Sequence, residues 1–89
     1  MAVHAARREP GRGIARDPRI LSGEPTIEGT RVPVRSIVQV FQVERDIDVA
    51  NQAFPMLDRP SIEHALVFYE THCEEIDRYI AENQDDDSS

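Results

Sequence analysis

PVRSIVQVFQVERDIDVANQAFPMLDRPSIEHALVFYETHCEEIDRYI, residues 33–80, decides the fold. Pro33 suits the first position of a helix, where its missing N–H costs nothing. Val34, Ile37, Val38 and Phe41 follow at i, i+3, i+4 and i+7, one face of a helix that should end near Val43 or Glu44. Asp46 is an apt N-cap for a second, short helix over Ile47 to Ala53, stopped by Pro55, with Ala50, Ala53 and Phe54 toward the core. Asp58 caps a third helix, with Arg59 and Pro60 in its first turn. Along it Ile62, Leu66, Tyr69, Cys73, Ile76 and Ile80 recur at spacings of 4, 3, 4, 3 and 4, a heptad seam. The seam beyond Tyr69 outruns what a three-helix core of this size can cover. Tyr69, Cys73, Ile76 and Ile80 are therefore a candidate dimer or partner surface.

Working outward, residues 14–34 are rich in turn formers. Short extended pieces near Ile14–Arg16 and Thr30–Val32 could pair, and Gly29 should supply a positive φ in a tight turn. Residues 1–13 show no periodicity and read as a basic, flexible arm. Residues 83–89 read as a solvated, disordered acidic tail. The domain between them, residues 14–82, is expected to be mainly α: a three-helix, helix-turn-helix-type domain carrying a short N-terminal β-arm.

Eighty-nine residues hold one core, and a small one, so dimerisation is expected. No apolar run approaches the roughly 18 residues of a membrane span. The arm has three Arg and no apolar stretch of the kind a secretory signal carries, and one cysteine excludes an internal disulfide framework. These features predict a cytoplasmic protein. Charge is uneven: residues 1–35 carry a net +3 and residues 36–89 a net −10. A basic arm beside an acidic body can meet two partners, or pair head to tail in a dimer.

Catalysis finds little support. His64 and His72 lie eight apart on one helix, so their directions differ by about 80° and they cannot share an ion without a third element. Cys73 sits on the apolar seam, where it reads as a small hydrophobe. No glycine-rich phosphate loop follows a strand. The chain is therefore expected to be no enzyme, with no metal, cofactor or small-molecule substrate.

DPRILSGEPTIEGTRVPV, residues 17–34, followed after a helix by FPMLDRPSIEHAL, residues 54–66, resembles the domain-of-unknown-function 433 family of small bacterial and archaeal proteins. The resemblance rests on Asp17-Pro18, Ile20, Gly23, Pro25, Ile27, Gly29-Thr30-Arg31, Val32 and Val34. Phe54-Pro55, Leu57, Asp58, Ile62 and Ala65-Leu66 complete it. Two positions depart from the pattern: Glu44 stands where a glycine usually ends the first helix, and Asn51 where an aliphatic residue is usual. The resemblance implies a homeodomain-like three-helix fold with a β-arm. It also implies a VapB-type antitoxin that binds a PIN-like ribonuclease toxin and represses the promoter they share.

The candidate toxin- or nucleic-acid-contacting residues are Arg7, Arg8, Arg12, Arg16, Arg31, Arg35, Arg59, Ser61 and His64. An Arg fork from the arm could enter an acidic nuclease site, or the acidic third helix and tail could cover a basic RNA-binding face. Operator DNA would be met by the start of the third helix, by Arg31 and Arg35, and by the arm. Arg31 has two readings, a loop residue paired with an acid such as Asp17 or a contact to phosphate or a partner carboxylate. The alternative to an antitoxin is a dimerising adaptor with no DNA-binding role.

Overall fold

The fold, taken from a computed structural model, is described for residues 12–88. Two short strands, β1 (Ile14–Ala15) and β2 (Thr26–Ile27), pair antiparallel, with Ile14 opposite Ile27 and Ala15 opposite Thr26. A left-handed turn, Leu21–Gly23, with all three residues at positive φ, lies between them. Four helices follow: α1 (Val34–Glu44), α2 (Ile47–Ala53), α3 (Arg59–Thr71) and α4 (Cys73–Ser88). The domain is mainly helical with an N-terminal β-arm, as the sequence implies.

β1 forms where expected, but its partner is Thr26–Ile27 and not Thr30–Val32. Gly29, at φ 79°, turns the chain inside the Thr30–Ile27 hydrogen bond of 2.9 Å. Residues 30–33 then return along the other edge of β2: the Ile27 amide donates to the Val32 carbonyl at 2.9 Å, and Thr26 bridges Pro33. The Thr30 hydroxyl holds this turn, donating to the Ile27 carbonyl at 2.8 Å and accepting from the Val32 amide at 3.0 Å. Because Pro33 takes part in that bridge it stays extended, and α1 begins one residue later than its sequence suggests.

α1 buries Val34, Ile37 and Val38. It ends at Glu44 without the usual glycine. Arg45 instead enters the left-handed region at φ 55°, its amide donating to the Phe41 carbonyl at 2.7 Å. Asp46 caps α2, one carboxylate oxygen accepting from the Asp48 and Val49 amides. Ala50 is buried, Phe54 half-buried and Ala53 exposed, so Ala53 does not face the core as expected; only one side of a two-turn helix can. Asn51 donates to the Leu57 carbonyl at 2.8 Å and ties the α2–α3 turn, a task no aliphatic residue could perform. Asp58 caps α3 through the Ser61 amide and hydroxyl.

The long third helix of the sequence is two helices. The break falls at His72 (φ −131°, ψ 30°), where the Thr71 hydroxyl donates to the Phe68 carbonyl at 3.2 Å and His72 Nδ1 lies 3.1 Å from the same oxygen. Side chains that bond nearby backbone compete with helix continuation. α4 packs on α1 and delivers Ile76 and Ile80 to the core. Its backbone is helical to Ser88, across the residues expected to form a disordered tail. Ile27, Val34, Ile37, Ile62 and Ile76 are fully buried, each contributing roughly 1.5–3 kcal/mol of burial free energy.

Candidate functional site

The candidate contact residues scatter, and most are engaged within the chain. Arg7 and Arg8 lie outside the described residues. The backbone of Arg12 docks on the start of α3: its amide donates to Ser61 Oγ at 2.8 Å and its carbonyl lies 2.9 Å from His64 Nδ1. Ser61 is fully buried. Ser61 is therefore closed to a base edge, and half-buried His64 spends Nδ1 on the chain's own N-terminal segment. The Arg12 guanidinium is exposed and donates to the Glu28 carbonyl at 3.2 Å.

Arg16 and Arg35 are likewise paired within the chain. Arg16 grips Glu75 with two hydrogen bonds, of 2.6 and 3.0 Å, fastening β1 to α4. It also lies over the Phe68 ring, 5.7 Å from the centroid, and that ring stacks on His72 at 3.9 Å. Arg35 lies 2.6 Å from Glu24, and both side chains are largely buried. This is a close charge pair without an aligned hydrogen bond. Arg59 meets Asp48 at 3.0 Å and Glu63 at 3.4 Å. The expected Asp17–Arg31 pair is replaced by Asp17–Arg19, because Arg19 is two residues away and reaches both carboxylate oxygens. Arg31 stays exposed, near enough to Asp17 to act on its charge.

The carboxylates divide by environment. Arg19 holds Asp17, the Ser61 hydroxyl holds Asp58, and Arg16 holds Glu75 below their ordinary range. Burial pushes Glu24 up, against the pull of Arg35, and nearby Glu82 and Glu75 add to the rise. The Tyr69 hydroxyl donates to Asp77 at 2.7 Å, which raises its pKa.

The expected apolar seam is not an open surface. Ile76 and Ile80 are buried in the protein's own core because the break at His72 folds α4 back onto α1. Tyr69 is half-buried, and Cys73 is exposed at the break. Beside Tyr69 lies a groove of about 260 Å³ between α1 and α3, lined by Val38, Phe41, Gln42, Arg45, Leu66 and Glu70. A shallower apolar patch on α1, with Val40, Val43 and Phe54, leaves Val43 78% exposed. Its only sequence signal is Val43 itself, an apolar residue off the helix's buried face.

The solvent side of α3 and α4 is acidic: Glu63, Glu70, Glu74, Asp77 and Glu82 are all exposed. Among the described residues no group of His, Cys, Asp and Glu could hold a metal ion. No helix there is long and apolar enough to cross a membrane. No curated protein and no solved structure matches the chain. Residues 14–69, from β1 to the Tyr69 groove, match the family described as Protein of unknown function (DUF433), and the chain belongs to that family.

Proposed function

We infer that this chain is a non-enzymatic, antitoxin-like protein of the reducing cytoplasm that binds and neutralises a PIN-like ribonuclease toxin. The observation that carries the reading is the acidic outer surface of α3 and α4, with Glu63, Glu70, Glu74, Asp77 and Glu82 exposed. An acidic helical surface complements the basic face with which a ribonuclease holds RNA, and complementarity of this kind speeds encounter and selects the partner. The alternative mode, an Arg fork from the arm entering the nuclease's carboxylates, has less support, because Arg16 already serves Glu75 and Arg12 donates to the Glu28 carbonyl.

The order α1, α2, α3 with a tied α2–α3 turn fits a helix-turn-helix of the homeodomain-like kind, which supports repression of the chain's own promoter as a subsidiary role. The charge on α3 favours the protein partner over DNA, since DNA binding draws its affinity from cations near phosphate. Co-expression with the product of the adjacent reading frame, affinity purification and a ribonuclease assay test the reading. An inactive complex that regains activity once this chain is stripped away is the expected result. No co-purification and no rescue of growth overturn it, and leave the dimerising adaptor as the reading to test.

A further inference from the structure

We propose that α4 exchanges between two copies of this chain, through straightening of the α3–α4 break, to give a swapped dimer. Three observations converge on this. The first is phase. Ile62, Leu66 and Tyr69 on α3 and Cys73, Ile76 and Ile80 on α4 keep the spacings of one heptad seam across a break that interrupts the helix. Two helices that only ever packed separately, with α4 on α1, would have no need to share a phase. Joined end to end, they form one amphipathic helix with a continuous apolar edge.

The second is the size of the break. A single residue, His72, separates the two helices, and only its backbone departs from helical geometry. The His72 amide already donates to the Phe68 carbonyl, and its carbonyl already accepts from Ile76, both four-residue helical spacings. Bringing His72 into helical geometry lets the Cys73, Glu74 and Glu75 amides reach the Tyr69, Glu70 and Thr71 carbonyls, the ordinary i to i−4 ladder. A one-residue connection between two helices is also the kind of short hinge that favours exchange.

The third is what straightening leaves behind. Swinging α4 away would expose Ile76 and Ile80 on one side and the face of α1 they cover on the other. The surface complementary to a displaced α4 is the groove vacated on a second copy, where the same core contacts and the Arg16–Glu75 grip are remade between chains. The occupant of each groove is thus a second copy of this chain. The sequence expectation of a dimer at Ile76 and Ile80 and the burial of both residues are then compatible. This inference stands apart from the toxin reading.

The full-length chain tests it. Arg16 and Glu75 touch within one structural unit although 59 residues apart in sequence. In a variant with Arg16→Cys, Glu75→Cys and Cys73→Ser, a short bismaleimide joins these two positions. Exchange puts them on different chains, so the product runs at twice the 10.1 kDa chain mass on a denaturing gel. Light scattering of the unmodified chain gives the same twofold mass. Inserting a five-residue Gly/Ser loop after His72 lets each α4 close on its own chain and halves the mass; the double variant Thr71→Ala, His72→Ala removes the hinge contacts and enriches the dimer. A monomer at every concentration overturns the proposal. So does a dimer whose bridge forms within single chains, or one whose mass the inserted loop leaves unchanged.

Discussion

Replacing Arg35 by Met should cost this small domain much of its stability, and should do so in a way that depends on pH. The substitution keeps the aliphatic stem and removes the only cation paired with Glu24 among the described residues. Glu24 is 5% exposed, so its carboxylate would be left buried and unpaired. Breaking one partner of a buried pair costs about 3–5 kcal/mol. Total stability for a chain of 89 residues is of order 4–13 kcal/mol. With an m-value of roughly 1.5 kcal/mol/M, the urea midpoint should fall by about 2–3 M, read by circular dichroism. Glu24 is already above the ordinary carboxylate range through burial, and losing Arg35 takes it higher. A group raised in the folded state contributes its stability below the unfolded pKa and loses it as pH rises through the folded value. The deficit of Arg35→Met should therefore shrink as pH falls from 7 toward 4. The double variant Glu24→Leu, Arg35→Met should recover most of the loss at neutral pH, since apolar replacement of a whole buried pair is often neutral or stabilising. A single variant that loses under 1 kcal/mol, or a loss indifferent to pH, would refute this account of the pair.

Ile76→Ala should destabilise by about 2–5 kcal/mol because Ile76 is fully buried in the chain's core; thermal unfolding that stays within 2 °C of the parent would place α4 elsewhere. Gly29→Ala should cost roughly 1 kcal/mol or more, since φ is 79° and the new Cβ would meet the Arg12 guanidinium at 2.6 Å; urea unfolding reads it. Glu75→Gln should flatten part of the acid limb of the stability curve. Arg16 holds Glu75 below its ordinary range, so its contribution is present above the unfolded pKa of about 4 and lost as pH falls through the folded value. Solvent screening keeps that contribution to about 1 kcal/mol or less, and an unchanged acid limb would count against it.

Local chemistry made much of the fold legible. Asp46 and Asp58 mark helix starts because a short carboxylate side chain can reach the amides two or three residues on. Gly29 and Thr30 mark the turn because the first tolerates positive φ and the second bonds its own loop. What local reading missed depends on distant partners. The return of residues 30–33 along β2 is decided by pairing with Thr26 and Ile27. The break at His72 runs against an unbroken heptad and is fixed by the gain of covering Ile76 and Ile80. Thr71 and His72, both modest helix formers, were its only local sign. Arg16 and Arg35 read as free cations until Glu75 and Glu24 stand beside them, and nothing in the intervening 58 or 10 residues announces either pairing.

The grip of Arg16 on Glu75 also orders events during synthesis. β1 is translated early, yet its partner on α4 emerges 59 residues later. At roughly 5–20 residues per second this is a wait of about 3–12 s. From Val38 until Ile76 is added 38 residues later, about 2–8 s at the same rate, the nascent chain carries Val34, Ile37 and Val38 on α1 without the helix that completes their cover. Neighbouring ribosomes on one message hold several such chains close together at the same stage. Whether α4, once made, closes on its own chain or on a neighbour's is then settled by spacing along the polysome as well as by equilibrium. Slowed elongation just before codon 73 would lengthen the window in which two nascent copies can meet.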